Sequence, residues 1–199
     1  MTISIRRRAQ LGLAAAFVVL LASLSALILV PRYSRPVQVA DVGTAAPDFD
    51  LPNLNGETVS LHDYHGQVVV LFFSSLHSPQ SLQYNDRVER LAHTYDTDAR
   101  VKFFAVNIGD GEHLDPILLR LDDRISSRTY PTLLDEKAAI ATRYSAKQAP
   151  YMVVIDPRGI VRYRGAFDDN ADLAFTSHSY LADALHDVLE SSTIAVASK

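Results

Sequence analysis

The chain has 199 residues and not one cysteine. Disulfides, thiolate metal sites and thiol catalysis are therefore excluded within it. A basic surface is also missing. Five of the 19 Lys and Arg and one of the 23 acids fall in residues 1–43, leaving 14 bases against 22 acids over the remainder. A body with that acidic excess and scattered positive charge does not fit nucleic-acid binding, where basic patches dominate affinity. No Gly-x-Ser-x-Gly elbow of a serine hydrolase occurs. Asp168, Asp169 and Asp172 lie close together, but the glycine and glutamate of a calcium loop are not in register with them. They read as a solvated loop before the last helix. Internal repeats and low-complexity tracts are absent, and a composition of 48% hydrophobic and 21% charged residues is that of a folded protein.

What the sequence does have begins at its N-terminus. Arg6, Arg7 and Arg8 precede an uncharged run from Ala9 to Val30. At 1.5 Å per residue such a helix extends about 33 Å, enough for a hydrocarbon core. It is longer than the apolar region of a usual signal peptide, although "LASLSA" offers small residues for a peptidase. Residues 1–30 are thus expected to be a membrane anchor or signal segment. The arginines stay cytoplasmic, so the rest of the chain lies on the extracytoplasmic, periplasmic side, or is exported if the segment is cut. Residues 31–47, punctuated by prolines, read as a linker, 48–190 as one domain and 191–199 as a tail.

Within that domain strands and helices alternate. "DFDLPNLNGETVSL" reads as a hairpin about Asn55-Gly56, and Gln67–Phe73 as a strand covered on both faces. A helix from Pro79 carries Tyr84, Val88, Leu91, Ala92 and Tyr95 on one side. Arg100–Ile108 is a second buried strand, and "HLDPILLRLDDRI" a helix with Pro116 near its start. A short strand, a short helix, a hairpin about "PRG" and a final helix with Leu181, Leu185, Val188 and Leu189 in a stripe complete the order. The fold class is α/β, a mixed central sheet with helices on both faces. In the hairpin, Arg162 and Arg164 share a side, with Arg158 nearby, as an exposed basic face.

Three stretches resemble a known family. They are "VGTAAPDFDLPNLNGETVSLHDYHGQVVVLFF", "SPQSLQYNDRVERLAHTY" and "APYMVVIDPRGIVRYRGAFDDN". The chain from about Val42 to Glu190 is similar to thioredoxin-fold redoxins, the branch shared by alkyl hydroperoxide reductase/thiol-specific antioxidant proteins and extracytoplasmic thiol-disulfide oxidoreductases. The second stretch resembles a subgroup reading Cys-Pro-x-Ser, with a Tyr-Asn and an Arg beyond. By that resemblance Ser78 stands at the attacking cysteine, Ser81 at the resolving one, and Pro150 at the cis-proline. The family activity, disulfide exchange or peroxide reduction, is what the resemblance implies and the missing sulfur contradicts.

A thiol at a helix N-terminus has its pKa lowered from about 8.5 into a range of about 3.5–7.5. A serine hydroxyl starts far higher, stays protonated and forms no disulfide. Ser78 reads instead as an N-cap, with Pro79 in the first helical position. Ser78 and Ser81 are degenerate catalytic positions, so no catalytic residue is assigned. Weaker readings are a Ser78 nucleophile with His77 as base, and a metal site from His77, His62 and His65. A binding groove formed by His77, Ser78, Pro79, Ala149, Pro150 and Tyr151 is the favoured expectation, holding an extended protein or peptide partner by strand addition. No cofactor and no nucleic acid are expected.

Overall fold

The computed structural model describes residues 39–75, 78–109 and 122–197. The segment expected to be an N-terminal anchor, His77 and most of the helix expected about Pro116 lie outside the described residues. Among those described, no helix is long and apolar enough to cross a membrane.

Among the described residues, seven strands and four helices follow the expected order. A hairpin of β1 (Asp50–Pro52) and β2 (Thr58–Ser60) opens the fold. Its turn works because Gly56 takes a φ of +81°, which a side chain would strain, while the Asn53 side chain accepts the amides of Asn55 and Glu57. A 3₁₀ turn (Leu61–Tyr64) leads to β3 (Val68–Ser74), then α1 (Pro79–Thr94) and β4 (Val101–Ile108). A single turn α2 (Asp123–Ser126), β5 (Thr132–Asp135), α3 (Ala139–Arg143), β6 (Tyr151–Ile155), β7 (Val161–Gly165) and α4 (Tyr180–Ala197) complete it.

The main sheet has the order β5-β4-β3-β6-β7, parallel from β3 to β5 and antiparallel through β6 and β7. Strand β3 lies in its centre and every residue is buried. Val69, Leu71 and Phe73 enter one core, together with Phe104, Tyr144 and Val153. Val68, Val70 and Phe72 enter the other, under α1 and α4, with Val88, Leu181 and Leu185. Each such side chain contributes roughly 1.5–3 kcal/mol when fully buried. An unbroken apolar run is what a strand covered on both faces requires.

Two segment boundaries differ from expectation. Residues 39–47, expected as linker, are built into the domain. Ala40 is fully buried, the Gly43 amide donates to the Val161 carbonyl, and the Val161 amide donates to Thr44. The open edge of β7 needs partners for its backbone, and this segment supplies them at Val161. At the other end, α4 runs past Glu190 to Ala197, because "SSTIAVA" contains no glycine or proline to stop it. The basic hairpin face is also altered. Arg158 and Arg162 both pair with the buried carboxylate of Asp156, and Arg164 pairs with Asp41 and donates to the Ala40 carbonyl.

Several phenols are buried. Burial, followed by the hydrogen bond to Asp168, pushes Tyr84 up to about 12 from its ordinary 10. Burial also raises Tyr130 and Tyr144. Such groups stay neutral in the folded chain while the unfolded chain ionises. Their stabilising effect is complete below pH 10 and lost as pH rises toward the folded value. Urea unfolding followed from pH 8 to 12 is expected to show a stability flat to about 10 and falling beyond it. Tyr84→Phe should reduce the descent by up to about 1.4 kcal/mol per pH unit.

Candidate functional site

The C-terminal end of β3 and the start of α1 are joined through serine hydroxyls. Ser78 has extended backbone, φ −93° and ψ 110°, and its Oγ accepts the Ser81 amide at 3.2 Å. Pro79 occupies the first turn, where a missing N–H costs nothing. Ser81 is 1% exposed, and its Oγ accepts the Ser75 amide at 3.2 Å. The motif thus folds as the cap that its residue types predict.

Across the site lies the loop before β6. The Ala149–Pro150 peptide bond is cis. Ser78 Oγ donates to the Ala149 carbonyl at 3.3 Å, spanning 71 residues of sequence. The expected groove residues Ser78 and Ala149 are thereby brought together, with Pro150 and Tyr151 continuing into β6. A cleft of about 750 Å³ opens beside them, lined by Ser75, Ser78, Gln80, Ile108, Lys147 and Ala149 among others. His77 of the expected groove lies outside the described residues.

These bonds decide what Ser78 does chemically. Its hydroxyl donates to one carbonyl and accepts from one amide, so its proton is not aimed at a base. Nucleophilic serine needs the opposite, a hydrogen bond that delivers the proton to a basic nitrogen. His62 and His65 meet edge to face with ring centres 5.1 Å apart, His62 within the 3₁₀ turn and His65 capping its end. Among the described residues, no group of three or more His, Asp or Glu side chains could hold a metal ion.

Sequence reasoning missed the site's main support. Asp168, expected in a solvated loop, is 4% exposed. It pairs with Arg87 of α1 and accepts the Tyr84 hydroxyl at 2.8 Å. Arg87 lies 4.7 Å from the centre of the Tyr84 ring and donates to the carbonyls of Asn170, at 2.8 Å, and Ala171. The signal was present as the Tyr-Asn, Arg and Asp-Asp-Asn of the quoted stretches, but nothing in one sequence pairs residues 81 apart. Neighbouring Asn85 accepts from Arg128 at 2.8 Å, whose guanidinium is held below its ordinary pKa by burial.

A thioredoxin-like fold with a serine-capped helix facing a cis-proline loop defines the class of protein. Residues 42–164 match the AhpC/TSA family, and the chain belongs to that family. It is similar to the thioredoxin-like protein YneN of Bacillus subtilis (strain 168), 29% identical over 130 residues, 65% of this chain and 74% of that one. A crystal structure of a conserved protein from Geobacillus kaustophilus superposes with a TM-score of 0.67 at 27% identity, covering 76% and 83% of the two chains. A thiol-disulfide oxidoreductase from Bacteroides fragilis NCTC 9343 shares the fold, with a TM-score of 0.55 at 18% identity over 66% and 95%.

Two outcomes are expected. Arg87→Ala leaves the Asp168 carboxylate buried without its cation and should lower unfolding free energy by about 3–5 kcal/mol in urea. A loss below about 1 kcal/mol would show the pair to be dispensable. Ser78→Cys places the only thiol of the chain at the capped end of α1. Its iodoacetamide reaction should titrate below the ordinary thiol value of about 8.5, because the Ser81 amide and the helix end favour thiolate. Titration at or above that value would show that the helix end no longer activates a nucleophile.

Proposed function

We propose that this AhpC/TSA-family chain is a membrane-tethered domain on the extracytoplasmic side that has lost thiol chemistry and acts by holding an extended protein segment beside Ser78 and Pro150. The observation that carries the reading is the bond from Ser78 Oγ to the Ala149 carbonyl at the edge of the cleft. Where the family pattern has a sulfur nucleophile, this chain has a hydroxyl that stabilises the cleft wall. A carbonyl oxygen has two lone pairs and Ser78 uses one, so the other can accept the amide of an incoming strand.

The tether is supported by sequence. Ala9–Val30 is uncharged and follows three arginines. Descent from thiol oxidoreductases is a matter of ancestry. Disulfide exchange and peroxide reduction each need a thiolate to attack, and the chain has none to offer.

The test uses the full chain in its native membranes, with a photoreactive benzoylphenylalanine at Gln148, an exposed residue of the cleft wall. Irradiation is expected to join it to a discrete partner protein, with no such product from the same group at Lys102, exposed near the start of β4. Equal labelling at both positions, or none at Gln148, would sink the binding reading. Catalysed reduction of insulin or of peroxide above background would sink the claim of lost thiol chemistry.

A further inference from the structure

The apolar core under α1 ends in a polar layer. Side chains alternate along a strand, so beyond Val70 and Phe72 the next β3 residue on that face is Ser74. Beyond Phe103 and Ala105 the next on β4 is Asn107, which pairs with Ser74 across the ladder. Thr132 of β5 lies beside Ala105, and Ser81 and Asn85 face the layer from α1. These five polar residues are all buried.

Arg128 enters this layer from the chain before β5. Its guanidinium lies 5.8 Å from the centre of the Phe72 ring and 5.9 Å from that of Tyr130. Nη1 donates to Thr132 Oγ1 at 3.0 Å and Nη2 to Asn85 Oδ1 at 2.8 Å. Among the described residues no carboxylate pairs with it. Glu89 and Asp122 contribute to its field, yet neither bonds it, and the Glu89 carboxylate accepts the Thr129 amide instead.

Polar atoms without partners collect at the same place. Among the described residues, the buried side-chain atoms with no hydrogen bond are Asn85 Nδ2, both amide atoms of Asn107, Arg128 Nε and the Tyr130 hydroxyl. A buried donor left unmade costs its desolvation, and a buried cation without a counterion costs more. Of these atoms only Asn107 Oδ1 cannot donate, so the layer does not suit a cation. Within the planar guanidinium, Nε shares one edge with Nη2, and Nη2 is bonded to Asn85 Oδ1. An acceptor at Nε therefore stands beside the Asn85 amide, whose Nδ2 is free to donate to it.

We infer that Arg128 Nε and Asn85 Nδ2 bind a small monatomic anion of the chloride class, beside the Asn107 amide. The ion accepts from both N–H groups and supplies the negative charge that the protein does not place against Arg128. Phosphate or sulfate does not suit the site, because four oxygens need more donors than the layer has. Water would satisfy the donors and leave the charge uncompensated. The ion joins α1 to the segment leading into β5, as Arg87 joins it to the loop after β7.

The test melts the full chain in detergent, followed by far-ultraviolet circular dichroism, while chloride replaces gluconate at constant ionic strength. The midpoint is expected to rise saturably, by about 5 °C at about 0.3 M chloride, with bromide equivalent. Asn85→Asp gives Arg128 a carboxylate of its own, and the midpoint of that variant should not move with chloride. Equal midpoints in chloride and gluconate, or a rise that does not saturate, overturn the inference. So does a saturable rise that survives unchanged in Asn85→Asp, which puts the ion elsewhere. If that variant does not fold, crystals of the unaltered chain grown in bromide locate the ion. An anomalous peak beside Arg128 Nε is the expected result, and density there without an anomalous signal assigns the position to water and overturns the anion.

Discussion

Arg87 and Asp168 place a full positive and a full negative charge inside the protein, and much of the remaining geometry follows from how they are satisfied. Taking either ion out of water costs several kcal/mol, which mutual attraction offsets only when further hydrogen bonds complete the shell. Here the shell is complete in an instructive way. The carboxylate takes the guanidinium and the Tyr84 hydroxyl; the guanidinium takes two backbone carbonyls and lies on the Tyr84 ring. Three partners sit on α1 and its facing loop, so α1 cannot slide along the sheet without uncovering a charge. The position of Ser78, one end of that helix, is fixed by an ion pair more than two turns away.

A fixed helix end makes the replacement of sulfur by oxygen consequential. A thiol is a weak donor and prefers to leave a helix N-terminus as thiolate; a hydroxyl is a strong donor and stays protonated. In this setting the hydroxyls turn inward. Ser81 closes on the Ser75 amide, while Ser78 bridges the Ser81 amide and the Ala149 carbonyl. Groups that would present a nucleophile to solvent instead cross-link β3, α1 and the cis-proline loop. With oxygen at these positions the backbone supports a hydrogen-bonded cleft wall.

Much of this was legible in sequence because local rules and burial agreed. An apolar run gave β3, Asn55-Gly56 gave the hairpin, and Ser78-Pro79 gave the helix start to the residue. What escaped was decided by distant partners. Asp168 sits among other acids in a polar stretch, and only Arg87 and Tyr84 explain its burial. Residues 39–47 are mostly small side chains ending at Pro47 and look like linker, yet the start of β7 pairs with them. The arginines of the last hairpin suggested a basic face, but a buried carboxylate one turn back, Asp156, claims two of them. In each case composition described the segment correctly and the missing term was a partner on another element.

Topology then explains why the features with functional interest converge. Parallel β3 and β4 deliver their C-terminal ends to one side of the sheet, and antiparallel β6 must begin there, which brings Pro150 to Ser78. Antiparallel β7 must finish there, which sends the Asp168 loop out from the same side. Cleft and stiffened loop are thus consequences of one strand order. Any segment that reaches Ser78 approaches the domain at this end of the sheet, where the loop held by Arg87 also leaves β7.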